Sequence, residues 1–168
     1  RDVLGSRGLG DVYKRQVWYY NDLWLTNICF LTGGEKMNVI MLLKHKDSLK
    51  YIYEDNTLRQ GLEKMRAHSY TAIPVITRDG KYVGTVSEGD FLWHIIDKKT
   101  SGDIEEQEEF RIRDILRPDF NPAVKISVGM DELLARAMNQ NFIPVTDDLG
   151  TFIGIVTRQD IIRYFVNK

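Results

Sequence analysis

The chain has 168 residues, a formal net charge of -1, 43% hydrophobic residues and a single cysteine, Cys29. That suffices for one domain or two small ones, and the near-neutral balance excludes the basic stripe that a nucleic-acid partner requires. One cysteine forbids an internal disulfide, His45, His68 and His94 lack metal-ligand spacing, and no apolar run reaches a membrane span, so the cytoplasm is the expected location.

Residues 1–36 differ in character from the rest. RDVLGSRGLGDVYKRQ is a polar run without period, and VWYYNDLWLTNICF shows neither strand alternation nor a capped helical stripe. The segment also lacks the basic start and cleavage site of a secretory signal. The opening run resembles translated sequencing-adapter DNA, and residues 33–36 could be read from purine-rich DNA of the ribosome-binding kind. The expectation is a non-native or disordered extension with Met37 as the true start. The alternative is a genuine extension that docks through Trp18, Tyr19, Tyr20 and Trp24.

Further along, Thr57 is placed to cap a helix carrying Leu58, Leu62 and Met65. Gly61 weakens that helix intrinsically, which points to close packing or ligand approach. Ile73, Val75 and Ile76 predict a strand, Arg78, Asp79 and Gly80 a turn, and residues 82–87 a second strand. Asp90 stands near the start of a helix running towards Ile96. Residues 98–109 are polar and acidic, an exposed linker or surface helix. Residues 112–116 predict a short helix, broken by Asp119, Asn121 and Pro122.

The layout then recurs. Residues 131–138 predict a helix with Leu133, Leu134 and Ala137 facing the core, followed by a strand at 143–146, a turn at 147–150, a strand at 152–157 and a helix at 160–165. AIPVITRDGKYVGTVSEGDFL (72–92) and FIPVTDDLGTFIGIVTRQDII (142–162) match at a spacing of 70 residues. Pro74 pairs with Pro144, Gly84 with Gly154, Ser87 with Thr157 and Asp90 with Asp160. The fold class is therefore α/β (α+β), two related units packed as a pair, since neither alone covers both faces of so small a sheet.

TAIPVI with GTVSEGD, and FIPVT with GIVTRQD, resemble the tandem CBS domain pair, or Bateman module, over roughly residues 44–167. The region from Met37 is similar to stand-alone CBS proteins of Gram-positive bacteria. The resemblance implies β-α-β-β-α repeats in pseudo-twofold arrangement, repeat 1 at 44–100, an acidic linker at 101–111 and repeat 2 at 112–168. It implies clefts for AMP, ADP, ATP, S-adenosylmethionine or cyclic di-AMP. Asp90 and Asp160 would accept from ribose hydroxyls, Ser87 and Thr157 would contact ribose or phosphate, and Tyr70, Thr71, Ala72, Asn141 and Phe142 would lie by the base. One cleft would set Thr57, Gly61, Tyr70, Thr71 and Ala72 against Thr157 and Asp160. A homodimer is implied as well, with an unidentified protein target in view.

The chemistry is consistent with that expectation. A carboxylate accepts two hydrogen bonds from a diol, and free backbone N–H groups stand at helix starts. Helix capping alone also explains an aspartate at each point. Arg158 adds a cation to the second cleft where Glu88 adds an anion to the first, and Met130–Asp131 replaces Thr57–Leu58, losing a hydroxyl. The second cleft is thus expected to be the better site. Asp90 and Asp160 could be imagined as an acid–base pair. No nucleophile triad, metal cluster or phosphate-binding Gly-Lys-Thr loop accompanies them, so no catalytic residue, metal or catalytic cofactor is expected. The resemblance thus implies a regulatory adenosyl-ligand sensor acting by ligand-dependent conformational change, and the alternative is an interaction module with vestigial clefts. Phe91, Trp93 and Ile95, with Ile162, Tyr164 and Phe165, are the apolar helix residues available to a dimer or to the monomer core.

Overall fold

The computed structural model describes residues 39–98 and 108–167. The expected extension at 1–36 and residues 101–107 of the acidic linker lie outside them. After β1 (Lys44–His45), the same layout occurs twice. The first copy is β2 (Ile52–Tyr53), α1 (Leu58–His68), β3 (Ala72–Ile76), β4 (Tyr82–Ser87) and α2 (Glu88–Lys98). The second is β5 (Val124–Lys125), α3 (Met130–Asn139), β6 (Phe142–Thr146), β7 (Phe152–Thr157) and α4 (Arg158–Val166). The fold is mixed α/β with two sheets, ordered β2-β3-β4 and β1-β7-β6-β5.

Strand lengths decide where the molecule stays open. β2 runs parallel to β3, and β5 to β6, so each pair needs a crossover, which α1 and α3 provide. Yet β2 covers only Val75 and Ile76, and β5 only Val145 and Thr146. Among the described residues, the starts of β3 and β6 therefore have no strand on that side. Pro74 and Pro144, which have no N–H to leave unpaired, suit these uncovered stretches. On the other side β3 and β6 form hairpins with β4 and β7. Their turns hold Gly80 at φ 80° and Gly150 at φ 81°, where a Cβ would be strained. The two turns are also tied reciprocally. Tyr82 N–H donates to Gly150 O at 3.1 Å and Phe152 N–H to Gly80 O at 2.8 Å.

α1 begins with a capping box between Thr57 and Gln60. α3 begins after Gly129, which makes no side-chain cap. The counterpart of Thr57 is therefore Gly129 and not Met130. Ile73 follows Thr57 by 16 residues and Ile143 follows Gly129 by 14, which displaces the cap relative to the strands.

The two cores exchange segments. Ile52, Leu58, Met65, Ile73, Val75, Val86 and Phe91 of the first repeat are sealed by Ile112 and Ile115, from the short 3-10 turn leading into the second. Leu133, Ala137, Ile143, Val145, Val156 and Ile161 of the second are joined by Val39, with Leu42 and Leu43 packed alongside. β1 completes this exchange by pairing Lys44 with Ile155 and His45 with Gly154 of β7. A Cβ on Gly154 would sit 2.1 Å from the Lys44 carbonyl oxygen, so only glycine admits this strand.

Gly61 is also explained by packing. It lies on the core face of α1 with Met65, and a Cβ there would come 2.6 Å from Ile112 Cδ1 and 3.1 Å from Phe91. Phe91 is itself core, and Phe165 packs against the second core, so neither belongs to the outer helix faces. The large apolar residues exposed on those faces are Leu92, Trp93 and Ile96 of α2, and Ile162 and Val166 of α4. No described helix is long and apolar enough to cross a membrane.

Candidate functional site

The last helix of each repeat starts with the same local chemistry. Thr157 is the N-cap of α4. Its Oγ1 accepts from Asp160 N–H at 3.2 Å, and its hydroxyl donates to Asp160 Oδ2. In the first repeat Asp90 Oδ2 accepts from the Ser87 hydroxyl at 2.6 Å and from Ser87 N–H at 2.7 Å. Each aspartate thus sits three residues into the chain after its hydroxyl, where free N–H groups favour negative charge.

The exchanged segments bring a cation to each aspartate. Lys44 Nζ lies 2.8 Å from Asp160 Oδ2, with Arg163 Nη1 at 3.7 Å from Oδ1. Arg117 Nε lies 2.5 Å from Asp90 Oδ1, and its Nη2 donates at 3.3 Å to Asp90 Oδ2 and at 3.3 Å to Ser87 Oγ. The Arg117 guanidinium also covers the Phe120 ring at 3.5 Å. The Asp90 side chain is 4% exposed and that of Asp160 15%. Burial opposes ionisation of Asp160. Hydrogen bonds from Lys44 and Thr157 and the Lys44 charge outweigh it, holding the carboxyl below the usual range.

Two hollows share Lys44 in their lining. One, of about 380 Å³, is lined by Tyr70, Ala72 and Pro74 from the first repeat and by Asn141, Phe142, Ile155 and Thr157 from the second, with Lys44, Leu49 and Lys50 along its rim. It opens where β3 and β6 lack a parallel neighbour. The other, of about 490 Å³, contains Asp160, Arg163, Tyr164 and Asn167, together with residues 41–44. Lys44 lines both, and so stands between the mixed cleft and the carboxylate.

Tyr70, Ala72, Asn141, Phe142 and Thr157 are therefore brought together, and Asp160 adjoins them. The remaining expected residues go elsewhere. Thr57 spends its hydroxyl on the Gln60 N–H of α1. Gly61 is buried beneath Ile112 and Phe91. Thr71 is exposed, and its carbonyl accepts from Glu88 N–H at 3.1 Å. Arg158 opens α4 with its N–H on Asn141 O at 2.9 Å and is not among the cleft-lining residues. Ser87 and Asp90 form the equivalent centre in the other repeat, under Arg117.

Lys44, Lys50 and Arg117 escape the sequence reading. A signal for two of them exists: VIMLLK (39–44) matches IRDILR (112–117) at a spacing of 73, not the 70 of the strands. A comparison at one spacing passes over it.

The CBS domain family model matches residues 44–97 and 112–167. The uncharacterized protein MJ1426 of Methanocaldococcus jannaschii is 31% identical, over 78% of this chain and 96% of its own length. Among solved structures, CbpB in complex with c-di-AMP superposes with a TM-score of 0.73 at 18% identity, covering 79% of this chain and 86% of its own. CBSX2 in complex with AMP gives 0.63 at 23% identity, covering 77% and 96%. At these identities the structures share the fold.

Proposed function

We propose that this chain, which belongs to the CBS domain family, is a regulatory module that binds an adenosine-containing ligand in the cleft shared by its two repeats. The supporting observation is that cleft itself. The uncovered starts of β3 and β6 bring Tyr70 and Phe142 to it, the end of β7 the Thr157 hydroxyl, and the segment 44–50 two lysines, next to the largely buried Asp160 carboxylate. In this reading the base lies by Tyr70, Ala72, Asn141 and Phe142. The ribose diol donates to Asp160 beside Thr157, and Lys44 and Lys50 meet phosphate. That two fold relatives carry c-di-AMP and AMP agrees with it.

The Asp90 centre serves structure instead. Arg117 occupies both of its carboxylate oxygens and Ser87, so this half of the module is vestigial as a ligand site. The module signals without turning its ligand over. Leu92 and Ile96 of α2, and Ile162 and Val166 of α4, lie four residues apart on exposed helix faces, and in this reading a second copy of the chain covers them.

The test is mass spectrometry of small molecules retained by the native protein. Calorimetric titration with AMP, ATP, S-adenosylmethionine and cyclic di-AMP follows. Saturable binding of at least one, recovered chemically unchanged, is expected. Failure of all four to bind ends the reading. Sedimentation at twice the chain mass, reduced to the single mass by Leu92→Glu with Ile162→Glu, tests the dimer.

A further inference from the structure

Lys44 bonds the one atom set that a ribose would need. Asp160 Oδ2 already accepts from Lys44 Nζ at 2.8 Å and from the Thr157 hydroxyl. Among the described residues, Oδ1 meets only Arg163 Nη1 at 3.7 Å, so a diol that donates to both carboxylate oxygens must displace the ammonium from Oδ2. A nucleoside offers no anion in exchange, and the displaced ammonium loses its partner. A nucleotide does offer one. Lys44 lines the mixed cleft as well as the Asp160 hollow, and its side chain is 44% exposed, so it can swing from the carboxylate to a phosphate without leaving the site. Its backbone stays fixed by pairing with Ile155 of β7. Lysine suits such an exchange, being a flexible point charge with rotatable donors, whereas the planar guanidinium of Arg117 bridges its partners and stays.

We propose that Lys44 is an internal competitor for Asp160 that makes the cleft select phosphate-bearing adenosine ligands over the free nucleoside. This rests on the nucleotide reading of the cleft. Binding exchanges one ion pair for another: Asp160 passes from Lys44 to the ribose hydroxyls, and Lys44 passes from Asp160 to the phosphate. Lys50 adds attraction for phosphate and, among the described residues, forms no ion pair with Asp160, so it raises affinity without competing.

The experiment titrates the full chain and its Lys44→Met variant with adenosine and with AMP, the fold being checked by thermal melting. The parent should prefer AMP by roughly tenfold or more, the worth of a charged hydrogen bond. In Lys44→Met adenosine should bind several-fold tighter than in the parent while AMP weakens, so that the preference largely collapses. Lys44→Arg should weaken binding of both ligands, because a guanidinium bridges the carboxylate and stays, which separates an exchangeable charge from a fixed one. Adenosine binding that is unchanged or weaker in Lys44→Met would overturn the competitor role. If the parent binds both equally, the nucleotide reading stands and the Lys44 proposal alone falls. If the parent binds neither, both fall.

Discussion

Asp90 and Asp160 stand at equivalent points of two copies of one fold, each three residues after a hydroxyl that bonds it. They differ in the cation sent to them by the exchanged segment. Arg117 grips both oxygens of Asp90 and Ser87, and sits over the Phe120 ring. Lys44 touches one oxygen of Asp160 and leaves a cleft open beside it. The lesson is that duplication supplies the scaffold, while one side chain per copy decides whether the copy is a site or a strut.

The largest expected effect tests the strut. Arg117→Met leaves the nearly buried Asp90 carboxylate without its guanidinium, and breaking such a pair costs about 3 kcal/mol. Lys44→Met, at a more exposed pair, should cost no more than about 1 kcal/mol. Urea denaturation of both variants measures the difference, and equal losses would dissolve the distinction between the centres.

A second contrast lies in the cores. The first repeat places Gly61 and Met65 where the second places Leu133 and Ala137, so the small and large positions are reversed. Ile112 of the exchanged turn fills the space over Gly61, and Val39, its counterpart, is one carbon smaller. Gly61→Ala should therefore destabilise by about 1–3 kcal/mol through overpacking. The loss should shrink when Ile112→Val is added. Ligand affinity of the folded fraction should not change, since Gly61 lies in the core.

The third test compares the carboxylates as ligand groups. Asp160→Asn should weaken AMP binding by about tenfold, the worth of one charged hydrogen bond. Asp90→Asn should leave it nearly unchanged, because Asp90 is already engaged by Arg117. Calorimetry decides, and a larger loss in Asp90→Asn would exchange the roles of the two repeats.

Much of this was legible in the residues themselves. The strands Tyr82–Ser87 and Phe152–Thr157 coincide with their expected ranges, because β-formers between a glycine turn and a capping hydroxyl leave little freedom. Asn141, Phe142 and Thr157, which the family resemblance implies as neighbours of a ligand, line one hollow. What was not legible depends on contacts between distant segments. Gly61 reads equally as a ligand approach or as a packing position until Ile112 is seen against it. Phe91 and Trp93 are both large aromatics two residues apart on α2, yet one faces the first core and the other solvent. Lys44 and Arg117 gain meaning only when each leading segment crosses to the other repeat's sheet.

The smallest effect is in pH. The folded Asp160 carboxyl is held below its usual range, so its contribution to stability is present above the unfolded value and lost as pH falls through the folded one. The unfolded value for aspartate is about 3.9. The stability gap between the parent and Lys44→Met should therefore stay constant from about pH 7 to pH 5 and close below about pH 4, as Asp160 takes up its proton. Its size should remain within about 1 kcal/mol, because water reaches Lys44 and screens the pair. Urea melts of both proteins at three pH values measure the gap. A gap that persisted in acid would assign the effect of Lys44 to its apolar stem against Leu43 and β7, and would remove the carboxylate from the account. A gap that vanished already near pH 6 would point to a different titrating group.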